Sequence, residues 1–175
     1  MASLRHRFLM RFVNLYPPLL GAGIRVSYPK DDPYSIEVRM KLHWWNRNLF
    51  GTHFGGSLYA MCDPFFVFIV MKNLGPGYLV WDKAVQIEFL RPGRGRVTGR
   101  YHVPPEEIAR VKALADAGEK VEPVYVGEIL ADDGTLVARV TKTLWVRKKA
   151  PSPAPGQSSA AAPEKTAPPR AAQKP

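Results

Sequence analysis

The strongest constraint on this chain is its longest apolar run, residues 58–71, LYAMCDPFFVFIVM, in which Asp63 is the only charge. A helix drawn through it carries apolar side chains on every side, so it must cross a membrane or be wrapped by its own domain. Crossing a bilayer takes roughly 20 apolar residues, and this run is shorter and interrupted by Asp63 and Pro64. The spacing therefore predicts a buried core helix with a kink or irregular turn at Pro64, which lacks a backbone donor. Ahead of it lies a polar, Gly-punctuated loop: Asn46, Asn48, Gly51, His53, Gly55 and Gly56. The Gly pair falls at the helix start, where unpaired N–H groups and the helix dipole favour negative charge. Ser57 reads as the N-cap. Asp63 lies about two turns in, where a carboxylate is costly unless paired or used.

Around this rod the pattern is β. Residues 24–28 read as a short strand. Residues 34–42 alternate strictly, with Ile36, Val38, Met40 and Leu42 opposed to Ser35, Glu37, Arg39 and Lys41. A period of two over nine residues marks a half-buried strand. Residues 78–90 form a long strand, 91–96 a turn, and 97–103 the returning strand. Residues 105–117 have helical spacing, opened by Pro105 and closed by Gly118. Residues 121–130 and 136–146 form a hairpin around Asp132-Asp133-Gly134, apolar at Leu136, Ala138, Val140, Leu144 and Val146, with a slip near Thr143. Six strands and one apolar helix predict an α+β architecture, an antiparallel sheet strongly curved around the helix.

Three segments follow. Residues 1–19 are basic and without acids, and Leu4, Phe8, Arg11, Phe12 and Leu15 make a helical stripe ended by Pro17-Pro18: a docking helix rather than a targeting segment. Residues 20–149 are the domain. Residues 150–175 are rich in Pro, Ala, Ser and Gln with no aromatic, a composition that cannot offset the entropy of ordering, so a disordered tail is predicted. The net charge of +10 is scattered or terminal, which fits solubility and weak anion affinity. Cys62 is the only cysteine, so no internal disulfide or thiolate cluster forms. The expected compartment is cytoplasmic.

Asn48-Leu-Phe-Gly51, Gly55-Gly56 with Asp63 seven residues on, and the strand ending Ile87-Glu-Phe-Leu-Arg-Pro92 stand in an order and spacing that resemble the hotdog-fold acyl-CoA thioesterases. The resemblance covers residues 20–147 and is closest to the phenylacetyl-CoA thioesterase-like branch and related uncharacterised domains. It implies that Gly56, with Gly55, polarises a thioester carbonyl, that Asp63 is base or nucleophile, and that Asn48 orients water or the carbonyl. It also implies pairing of domains through their sheets, a homodimer or larger assembly with sites at the subunit interface. The family pattern places His directly before the Gly pair. Here Phe54 stands there, and His53 one position earlier.

Each residue also has a structural reading. Asp63 before a Pro fits a paired or capping carboxylate, Gly55-Gly56 a tight loop entry, and Asn46 and Asn48 turn residues. His53 reads as a hydrogen-bonded wall residue beside Phe54. Asp82 is most simply paired with a Lys or Arg. Arg91, Arg94 and Arg96 fit either a phosphate clamp for CoA or a solvated turn. Cys62, with no basic neighbour in sequence, reads as packing. No phosphate loop, metal-ligand cluster or Gly-x-Ser-x-Gly elbow occurs, so cofactor-free acid–base hydrolysis of an acyl-CoA or acyl-carrier-protein thioester is the expected activity. The alternative is a non-catalytic acyl-ligand binder. A nucleic-acid module is disfavoured, because exposed aromatics interleaved with basic residues are not evident, and membrane contact is a minority option.

Overall fold

The computed structural model describes residues 12–150. The Leu4–Phe8 part of the expected N-terminal stripe and the Pro/Ala-rich segment from residue 151 lie outside the described residues. After a single 3-10 turn at Val13–Leu15 come α1 (Pro17–Ala22), β1 (Ile24–Ser27) and β2 (Ser35–Lys41). Then follow α2 (Gly55–Ala60), α3 (Phe65–Leu74), β3 (Tyr78–Phe89), β4 (Arg96–His102), α4 (Pro105–Asp116), β5 (Val124–Ala131) and β6 (Leu136–Lys148). The six strands form one antiparallel sheet in the order β1-β2-β4-β5-β6-β3, curled around α2 and α3.

Pro17-Pro18 begins a helix of its own, and all but the last two residues of the stripe expected ahead of it lie outside the described residues. Pro17 occupies the first turn of α1, where its missing N–H costs nothing, and α1 closes at Gly23 with φ 77°. Asn14 latches this segment to β1, accepting from Val26 N at 2.7 Å and donating to Val26 O at 2.9 Å.

The core rod breaks where expected. Residues 61–64 are turns between α2 and α3, and the Asp63–Pro64 peptide is cis. Gly55–Leu74 taken together are twenty residues, long and apolar enough to cross a membrane, which corrects the expectation that the run is too short. Burial shows the rod's actual partner: Phe65, Phe66, Ile69 and Val70 are enclosed by the sheet, while Met71 and Lys72 remain exposed. Ser57 is not the N-cap. Phe54 is, with its carbonyl accepting from Ser57 N and Leu58 N, and Ser57 is buried in the first turn.

Residues 91–95 do not close a hairpin. β3 pairs with β6 at the far edge, and β4 lies between β2 and β5, so this segment crosses the end of the rod. It is pinned there by Leu42 N to Gly95 O (2.7 Å) and His53 N to Gly93 O (3.0 Å). The slip anticipated near Thr143 lies on the partner strand. β6 alternates without a break from Ala138 to Val146, whereas the register with β3 shifts between Asp82 and Ala84. Before the bulge Tyr78, Val80 and Asp82 share the inner side; after it Val85, Ile87 and Phe89 do.

Tyr101 anchors the helix to the sheet. Its ring stacks on Phe65 (centroids 5.7 Å apart) and meets Phe66 edge-on at 5.2 Å. Gly99 and Gly127 make room for it: a Cβ would fall 2.6 Å from the Tyr101 hydroxyl oxygen at Gly99, and 2.6 Å from its Cε1 at Gly127. Gly127→Ala is expected to lower stability by about 1–3 kcal/mol through overpacking, read as a reduced urea midpoint with an unchanged slope.

Candidate functional site

The loop before α2 is built by two asparagines. Asn46 is buried and donates from Nδ2 to Ala22 O (3.0 Å) and Lys41 O (2.9 Å) while Oδ1 accepts from His43 N (2.7 Å). Asn48 donates to Thr52 Oγ1 (2.9 Å) and His53 O (3.3 Å) and accepts from Phe50 N and Thr52 N. Its whole amide is thereby committed to the loop. Asn48 thus shapes the approach to Gly55 and stands in the wall of the cavity there.

Gly55 and Gly56 open α2, and among the described residues their N–H groups have no acceptor, as the first positions of a helix require. The Phe54 ring lies against Gly56, where a Cβ would come within 2.5 Å of its Cε1, and Phe89 lies 3.3 Å from the equivalent point at Gly55. A larger residue at the second position would have to displace the Phe54 ring. Gly55 faces a cavity of about 510 Å³ whose walls include Asn48, His53, Leu58, Phe89, Arg91 and Arg94. Arg96 is not among them. It starts β4 on the outer face of the sheet, so the expected three-arginine clamp is split. His53 is buried with Nε2 3.2 Å from Gly95 O, while Nδ1 has no partner among the described residues. Burial lowers its pKa, so the imidazole is neutral at pH 7.

Asp63 belongs to a second cluster. Its Oδ1 accepts from Lys142 Nζ at 2.9 Å, and Asp82 Oδ2 lies 2.9 Å from the same ammonium. The Lys142 side chain is 0% exposed, whereas that of Asp63 is 42% exposed. Burial of Asp82 raises its pKa, an effect opposed by Lys142 and reinforced by the neighbouring Asp63. For Lys142, burial alone would lower the value, but the bonds to Asp82 and Asp63 carry it upward. The ammonium is held charged. Tyr59 and Cys62 complete the surroundings, and burial pushes the Cys62 thiol up to about 11. Such a thiol is a poor nucleophile.

Lys142 is the residue that the sequence reading passes over. It occupies the gap in the inward series Ala138, Val140, Leu144, Val146 on β6. A charged residue at an inward position of an otherwise apolar strand is the signal that could have found it. Asp82 does pair with a lysine, but one three strands later in the chain, brought beside it by the β3 bulge. Thus the fold assembles Asp63, Asp82 and Lys142 at the break in the rod, and Gly55, His53, Arg91 and Arg94 around its start. Neither Asp63 nor Gly56 lines the cavity at Gly55.

A family model described as a domain of unknown function, DUF4442, matches residues 5–146. The chain belongs to this family. No protein of curated function matches it. Among solved structures it is similar to a Pseudomonas aeruginosa protein of unknown function described as a probable thioesterase. The TM-score is 0.71 and the identity 17%, over 85% of this chain and 97% of that one. It is also similar to a Haemophilus influenzae thioesterase (TM-score 0.61, 20% identity, 79% and 88% covered). A thioesterase family protein from Silicibacter pomeroyi gives 0.57 and 18%, with 82% and 99% covered. At these identities the likeness is one of fold: the DUF4442 chain has the hotdog fold.

Removing Lys142 would strand two carboxylates in a partly buried site. Lys142→Met is expected to cost about 3 kcal/mol, and adding Asp82→Asn to recover part of it, both read by denaturant titration. Because the native His53 binds its proton less readily than the unfolded chain does, it subtracts stability as pH falls below about 6.5. Melting temperatures measured from pH 7 to pH 5 should fall less steeply in His53→Gln than in the parent.

Proposed function

We propose that the protein hydrolyses thioesters of the acyl-CoA or acyl-carrier-protein type, with Asp63 as general base and the Gly55 and Gly56 amides as oxyanion donors. The observation that carries this reading is the state of Asp63. It is a carboxylate at the break of an apolar rod, held from behind by a buried ammonium through Oδ1 and nearly half open to the outside. A carboxylate that is both fixed and accessible is what activation of a water requires.

The chemistry runs as follows. Asp63 takes a proton from water as the water oxygen bonds to the thioester carbonyl carbon. The carbonyl oxygen, now negative, is received by unpaired backbone N–H groups, a favourable partner for developing charge. The tetrahedral intermediate collapses, the C–S bond breaks, and the proton held by Asp63 passes to the departing thiolate. A carboxylic acid and a free thiol result. Leu58 and Phe89 give the cavity at Gly55 an apolar wall for an acyl chain, and Arg91 and Arg94 are cations at its mouth for phosphate oxygens.

Within one protomer Asp63 lies beyond the end of α2 and outside the cavity at Gly55, so the carboxylate and the Gly amides do not share one cleft. A homodimer resolves this. β3 is a twelve-residue edge strand paired only to β6, and it exposes Trp81, Val85 and Phe89. A long apolar edge of this kind invites pairing with a second copy, which would bring Asp63 of one subunit to the amides of the other.

Asp63→Asn is expected to lower thiol release from acyl-CoA by roughly 10²–10⁴-fold, with light scattering still reporting the parent's assembly. Full turnover in this variant ends the reading. Tight acyl-CoA binding by the parent with no released thiol, across a panel of chain lengths, favours the non-catalytic binder.

A further inference from the structure

The outer face of the sheet carries a second cavity, of about 730 Å³, at the edge formed by β1, β2 and β4. Its walls include Arg25, Arg39, Lys41 and Arg96, with Trp45 and His43 at one end. The register makes this a costly arrangement. Arg25 stands directly opposite Arg39 across β1 and β2, and Lys41 directly opposite Arg96 across β2 and β4. Like charges at directly opposed positions destabilise a sheet, and here two such pairs sit two residues apart on the same face.

The carboxylates of the domain relieve this only in part. Glu37 pairs with Arg39 but also with Arg100, and Asp132 reaches Arg96 at 3.8 Å. Among the described residues no carboxylate pairs with Arg25 or Lys41. Residues 1–11 could not supply one, since they contain no acid. Among the described residues the four cations thus converge on one cavity with a deficit of negative charge.

Beside them the aromatic residues are open. The Trp45 ring stacks on His43 (centroids 4.2 Å apart, 3° between planes) and is met edge-on by Trp44. Trp45 is nonetheless 51% exposed. An exposed indole next to cations is the pairing that sequence order conceals, because Trp45 is close to Arg25 and Arg96 only through the sheet. Flat rings stack on such a surface whatever their hydrogen-bonding pattern, and guanidinium groups grip phosphate in a forked geometry.

We propose that this outer cavity binds a phosphorylated nucleotide, its base against Trp45 and its phosphates among Arg25, Arg39, Lys41 and Arg96. The site is separate from Asp63 and does not depend on thioester hydrolysis. The nucleotide has two sources of the same chemistry: a free mononucleotide, or the nucleotide end of a CoA thioester.

The test is calorimetric titration of the full chain with ADP, CoA and pyrophosphate, in the parent, in Arg25→Glu/Lys41→Glu and in Trp45→Ala. The double reversal turns both repulsive pairs into ion pairs with Arg39 and Arg96, so its melting temperature should equal or exceed the parent's. Its ADP affinity should nevertheless fall at least tenfold. Trp45→Ala should weaken ADP several-fold and leave pyrophosphate unchanged. Equal affinity for ADP and CoA identifies a free nucleotide as the source, and a preference for CoA of tenfold or more identifies the thioester's own nucleotide. Absence of saturable ADP binding, or binding that neither variant alters, overturns the proposal. So does binding of a single-stranded oligonucleotide with a steep salt dependence and no binding of ADP.

Discussion

One buried ammonium joins the two parts of this fold. Lys142 extends inward from β6 and meets carboxylates from the broken rod and from β3. Isolated, a charge with no exposed surface would be prohibitively costly in this core. Bonded to two carboxylates it becomes a tie between three elements that are far apart in sequence. The tie also makes use of the break at Pro64. A continuous helix through residues 61–64 would carry Asp63 on a smooth apolar surface, whereas the turn there lets the carboxylate reach the sheet while keeping one side in water.

That arrangement suits the acid–base role proposed for Asp63, which places two demands on one residue. The carboxylate must be fixed, which favours burial, and it must reach solvent and substrate, which favours exposure. Burial is taken up by Lys142 and, in part, by Asp82, whose second oxygen is buried without a partner among the described residues. Asp63 is then left half open. At the start of the rod the amides of Gly55 and Gly56 are positioned by a loop whose two asparagines spend their amides on neighbouring backbone and side-chain groups.

Much of the architecture is legible in the sequence because period-2 alternation over residues 35–41 and 136–146 needs no tertiary information, and an all-apolar helix dictates a wrapping sheet. What fails to show is whatever depends on partners distant in the chain. Strand order is one case: residues 91–95 look like a hairpin turn, yet they cross the rod because β3 finds its partner in β6. The parity change at Lys83 is another, since a bulge is defined only against a neighbouring strand. The helix that opens at Pro17-Pro18 is missed for a local reason, as proline both ends and begins helices. At the site, Asp63 and the Gly pair stand out by sequence spacing alone. Lys142 does not, because a lone lysine in a strand reads as solvent-facing until its register is known.

The chain's single sulfhydryl has a practical consequence. Cys62 is enclosed beside the rod's break and holds its proton up to about pH 11, so the folded molecule is effectively blank to maleimides and other alkylating dyes at neutral pH. A cysteine placed anywhere on the surface would carry a fluorophore or spin label at one address, without first deleting the native residue. Distances between subunits, or between the rod and the sheet, thereby become measurable on an otherwise unaltered protein.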